Sequence, residues 1–141
     1  MLQFHNIFVE ITNFLIPFLI GSLIFFSLVI APNIFMSLDQ PNARKFIRTI
    51  FPKLYLWGFL ISLTVTFLII SHGTIYTIIF LVISSGYLFS RLFLVKWINE
   101  VSDIKKKTKK QQQKFKILHS LSVFIFAFQI ICMAMVYFKI Q

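Results

Sequence analysis

Charge is what this sequence has least of: Asp, Glu, Lys and Arg make up 13% of its 141 residues, against about 25% in an average soluble domain. A surface facing water cannot be built from so few charged side chains, which excludes a soluble single domain. Lipid is the solvent that accepts the remainder. Acids are scarcer still, at 4. Glu10 reads as lying outside the membrane, and Asp39, Glu100 and Asp103 fall in loops. A relay of buried carboxylates therefore has no parts.

The other shortages narrow the function further. The single cysteine, Cys132, excludes an intrachain disulfide and a cysteine-only metal cluster. Histidine occurs at positions 5, 72 and 119, with no H-x-x-H and no C-x-x-C. No two histidines fall on facing helices at mid-membrane, so neither a metal site nor a bis-histidine haem is expected. No glycine-rich phosphate loop and no nucleophile elbow is present. No catalytic residues and no cofactor are expected. The first thirteen residues contain no Lys or Arg, so an uncleaved first helix is a better reading than a secretory signal.

What is present is apolar: 58% of the chain is hydrophobic, with 19 phenylalanines. Four runs are long enough to cross a hydrocarbon core, which takes about 20 helical residues. They cover about 8–31, 54–70, 75–98 and 117–138. The expected fold is all-α, a single four-helix transmembrane bundle spanning 1–141. A short interfacial amphipathic helix between helices one and two is added to it. That helix would cover Asn42 to Phe51, with Ile47 and Phe51 towards lipid and Arg44, Lys45 and Arg48 towards water. Pro52 would end it and start helix two. Helix three would continue as Asn99 to Lys110 into a basic segment, 99–116, and Ser71 to Thr74 would make helices two and three a hairpin.

The net charge of +10 would suggest nucleic acid if it lay on one folded surface. It lies instead in the gaps between apolar runs, so no nucleic acid is expected. Thirteen Lys and Arg (Arg44, Lys45, Arg48, Lys53, Arg91, Lys96 and seven lysines from 105 to 116) fall on one side, and only Lys139 on the other. The rule that basic loops stay inside places them in the cytoplasm and both termini outside, in a bacterial inner membrane.

Small residues recur every fourth position at Gly58, Ser62 and Thr66, at Pro17 and Gly21, and at Gly86 and Ser90. Such stripes read as helix packing. Arg91 falls in the inner third of helix three, where a charge either snorkels to headgroups or meets a partner. His119, Ser122 and Gln129 share one face of helix four and read as a polar line towards the bundle interior. Together, Arg48, Tyr55, Arg91, Asn99, Asp103, His119 and Ser122 belong to the basic ends of helices two, three and four. They are the candidate binding cluster, or else a network tying helix ends together.

At these residues the chain resembles the uncharacterised membrane family called domain of unknown function 4149, the transmembrane protein 205-like family. Ala31-Pro32 with Phe35 resembles the end of that family's first helix. Arg48, Phe51, Pro52 and Tyr55 resemble its Arg-x-x-Phe-Pro signature. Asn99 and Asp103 fit its polar tail after helix three, and Phe115, Leu118, His119 and Ser122 its Phe-x-x-Leu-His-x-x-Ser opening of helix four. The resemblance implies the four-helix fold and supports the cluster, and it implies no biochemical activity.

Three functions compete on this reading. The first is a non-enzymatic membrane protein engaging anionic lipid headgroups, or a membrane protein partner, through the cluster. The second is a homo-oligomeric transporter or efflux component. The third is a haem or redox membrane protein.

Overall fold

The computed structural model describes residues 2–104 and 107–141, with side chains from residue 6 onward. Lys105, Lys106 and the His5 side chain lie outside the described residues. Those residues form four helices long and apolar enough to cross a membrane: α1 (Asn6–Ser37), α2 (Gln40–His72), α3 (Thr74–Ser102) and α4 (Lys109–Ile140). No strand occurs among them. Each helix packs on its chain neighbours, and α4 closes the ring on α1.

The inner face of each helix follows from 3.6-residue periodicity. On α1 it is Thr12, Ile16, Leu19, Leu23 and Phe26; on α2 it includes Tyr55, Ser62, Val65, Thr66 and Ile69. Large apolar side chains such as Phe14, Leu28, Phe67, Val82, Phe124 and Phe138 point outward, where only hydrocarbon would accept them. The inner pair is α2 and α3, joined by a hairpin. In the most apolar stretch of α2, 39% is buried, against 17% in that of α4. Gly73 makes the hairpin possible: its φ of 132° lies where a Cβ would be strained.

Several boundaries differ from the sequence-based expectation. The amphipathic segment is helical but not separate, because one α-helix runs from Gln40 to Leu68 through Pro52. Proline removes one hydrogen bond, to the carbonyl four residues back, and here the loss is outweighed by packing. Phe51 does not face lipid but stacks edge-on against Phe26, at 5.6 Å, and joins the central core. With Ala43 and Tyr55 it lies on one inner stripe that continues across the proline. Likewise α1 does not stop at Ala31. A π turn over Phe26–Ile30 precedes Pro32, and helix resumes over Ala31–Ser37. Widening the helix to i→i+5 bonds moves the carbonyl that the proline ring would strike.

Helix α3 ends at Ser102 rather than Lys110. Lys107 donates to the Ser102 carbonyl (3.1 Å), which caps that end. Thr108 and Gln111 then form a reciprocal capping box that starts α4 at Lys109.

The small-residue stripes divide. Gly58 is buried beneath the Tyr87 ring, and a Cβ there would meet Tyr87 Cε1 at 2.8 Å. Ser84 Oγ lies 2.9 Å from Ser62 Oγ and 3.5 Å from Thr66 Oγ1. These contacts bind α2 to α3. Pro17 and Gly21, in contrast, face outward, since Ile16 and Leu19 occupy the inner stripe. A Cβ at Gly21 meets nothing within 4 Å.

The two glycines give opposite predictions. Gly58→Ala drives a methyl into a fully buried ring and should cost about 1–3 kcal/mol. Gly21→Ala should be neutral or stabilise by up to about 1 kcal/mol through helix propensity. Thermal unfolding of the detergent-solubilised variants distinguishes the two, and equal effects would refute the packing difference.

Candidate functional site

Local structure decides which of the basic-end residues meet. On α2, Arg48 and Tyr55 are seven residues apart, two helical turns, and so project from one face towards α3 and α4. Asp103 directly follows α3, and its N–H donates to the Asn99 carbonyl (3.0 Å), closing the last turn. That placement delivers its carboxylate to the Arg48 guanidinium in the sole ion pair among the described residues. The side chains are 36% and 61% exposed, so solvent screens the pair and it contributes little to stability.

The Tyr55 hydroxyl meets Ser122 Oγ at 3.0 Å. This bond crosses the bundle from α2 to α4, which are not ring neighbours. Tyr55 is nearly fully buried, so the pair lies in a low-dielectric interior where an unpaired hydroxyl is costly.

The remaining candidates stand apart. His119 is exposed, with its ring parallel to Phe115 at 6.1 Å, and does not share the interior line expected from the sequence. Leu118 takes the inward position instead, followed by Ser122, Ile125, Gln129, Cys132 and Val136 at alternating spacings of four and three. His119 is therefore turned about 100° away. Ser122 and Gln129 do lie on the inner line. Arg91 lies half-buried in a second π turn, Ser90–Leu94, with no hydrogen bond or ion pair among the described residues. Asn99 is half-buried, and its side chain makes no hydrogen bond among the described residues.

Sequence reasoning gave no functional weight to Tyr87, Ser90 or the groove beside Leu38. Gln129 Nε2 donates to the Ile83 carbonyl (2.9 Å) across the α3–α4 seam. Its amide lies over Gly86, where a Cβ would come within 2.7 Å. At the basic end, α2 presents Asn42, Lys45, Phe46, Thr49, Ile50 and Lys53 along one face. With Leu38 they line a groove of ≈ 470 Å³. A second groove of ≈ 380 Å³, lined by Val29, Ile30, Asn33, Ile34, Ser37 and Leu38, adjoins it at Leu38. No cluster of three His, Cys, Asp or Glu suited to a metal occurs among the described residues.

A ring of four apolar helices, cross-braced at the end that carries its charges, defines an integral membrane protein of the four-helix bundle class. The chain belongs to the family described as Domain of unknown function (DUF4149), whose pattern it matches over residues 14–138. No curated protein and no solved structure matches it. The fold shows why the motifs behind the resemblance occur together. Arg48 of the second motif meets Asp103 of the third, and Tyr55 of the second meets Ser122 of the fourth.

The two braces should differ in strength. A double-mutant cycle of Tyr55→Phe with Ser122→Ala is expected to give a coupling of about 0.5–1.5 kcal/mol. Asp103→Asn should cost less than about 1 kcal/mol, because its partner stays solvated. A larger loss from Asp103→Asn than from Tyr55→Phe in the same unfolding assay would reverse the ranking.

Proposed function

We propose that this chain is a non-enzymatic protein of the bacterial inner membrane, with both termini outside the cytoplasm, whose basic end binds anionic phospholipid. The groove on α2 carries the reading. Lys45 and Lys53 flank Thr49 two turns apart, and Leu38, Phe46 and Ile50 line the same depression. Cations beside apolar walls fit a phosphate headgroup with its acyl chains. The neighbouring α1 groove, lined by Val29, Ile30 and Ile34, extends the apolar wall towards the membrane interior. Asp39 is the nearby acid, and it is held at the helix start, where Asn42 Nδ2 donates to it (2.6 Å), away from Lys53.

The charge balance supports the same conclusion. Of the eleven described basic residues assigned to this end, Arg48 alone has an acidic partner. Headgroup phosphates are the counter-ions available to the rest. Arg91, half-buried on α3, is placed for its stem to carry the guanidinium to the same headgroup layer.

The test is lipid retention on the purified protein, measured by native mass spectrometry with phosphatidylglycerol. Each basic side chain near the surface contributes about 1 kcal/mol to anionic lipid binding. Lys45→Gln with Lys53→Gln should therefore weaken it roughly thirtyfold, and Arg91→Ala should weaken it further. Lys139→Gln, at the opposite end, should leave it unchanged. Equal retention by all variants would refute the groove as the seat. The orientation has its own check: a cysteine placed at Gln111 should react with an impermeant maleimide only after the membrane is broken.

A further inference from the structure

Three buried side-chain atoms in the described residues have no hydrogen-bond partner: Tyr87 Oη, Ser90 Oγ and Gln129 Oε1. Their residues are 0%, 1% and 3% exposed. The three residues belong to one level of the bundle, around one turn of α3, with the Tyr87 ring against Gly58 of α2 and the Gln129 amide on the α4 side. Tyr87 and Ser90 are three residues apart on its inner face, and the Gln129 amide lies over Gly86, the residue before Tyr87. That turn is also where α3 departs from regular α-helix. The Ser90 N–H is shared between the Gly86 and Tyr87 carbonyls, and the Val95 N–H reaches back to Ser90.

Unpaired polar atoms are rare in any interior and more costly in a membrane bundle, where hydrocarbon supplies no substitute. Elsewhere in this bundle the buried hydroxyls are satisfied: Thr12 by the Phe8 carbonyl, Thr66 by Ser62, Ser84 by Phe80. The exception is local, and its chemistry is specific. Two hydroxyls that donate or accept and one carbonyl that only accepts, with no ionised group among the three, suit a small neutral ligand able to do both. Reversing the Gln129 amide does not remove the need, because its Nε2 is committed to the Ile83 carbonyl.

We propose that the interior around the Gly86–Ser90 turn of α3 is an internal water site, in which ordered water hydrogen-bonds to Tyr87, Ser90 and Gln129 within the membrane-spanning bundle. Water has the required pattern, two donors and two acceptors, and typically makes about three such bonds when buried. The widened turn beginning at Ser90 gives the backbone room for it, as in other helices where a π turn accompanies an inserted water. The site is separate from the lipid groove, which is formed by α2 with Leu38.

Radiolytic hydroxyl-radical labelling of the intact protein in nanodiscs tests this directly, because radicals form from water held next to a side chain. Tyr87 should be modified severalfold faster than Phe80, which is equally buried on the same helix. Equal, background-level labelling of both would overturn the proposal. Tyr87→Phe and Ser90→Ala supply an independent sign. With water present each removes a hydrogen bond and lowers Tm. With bare polar atoms each relieves an unpaired group, so an unchanged or raised Tm counts against the site.

Discussion

Hydrocarbon offers no hydrogen bonds, and that single property governs how every polar group in this bundle is placed. Most hydroxyls fold back onto their own helix: Thr12 to Phe8, Ser27 to Leu23, Thr64 to Leu60. Such bonds satisfy the side chain wherever the helix sits, and so say nothing about its neighbours. The bonds that reach across helices within the bundle are few. Ser84 to Ser62, Tyr55 to Ser122 and Gln129 to the Ile83 carbonyl fix which helices touch and at what depth. Apolar surface alone cannot do this, because a lipid tail packs against Leu or Phe as well as another helix does.

The helices were legible in the sequence because their apolar runs match the thickness of the solvent they occupy. Their ends were less so, and proline was the source of the error. Pro32 and Pro52 read as breaks, yet the helix crosses both. A π turn ahead of Pro32 relieves its steric conflict, and the inner stripe of Ala43, Phe51 and Tyr55 holds α2 together across Pro52. The basic segment contained its own signal: Thr108-x-x-Gln111 is a capping box, hidden by the lysines around it.

The candidate site was legible in pairs rather than as a cluster. Arg48 with Asp103 and Tyr55 with Ser122 do meet, while His119 lies outside the line because Leu118 takes the inward position. Tyr87 escaped notice because an aromatic inside an apolar run looks like lipid-facing surface. Its three-residue spacing from Ser84 and Ser90 was the available clue, since polar atoms seldom share one face of a spanning helix unless that face is turned inward.

The two π turns have a consequence for how such chains tolerate length variation. A π turn is an α-helix carrying one surplus residue. Removing a single residue from Ser90–Leu94 therefore restores ordinary helix while the faces on either side keep their partners. The same excision in Phe26–Ile30 brings Pro32 back against the carbonyl of the preceding turn. The third helix is thus a natural place for one-residue gaps, and the first is not.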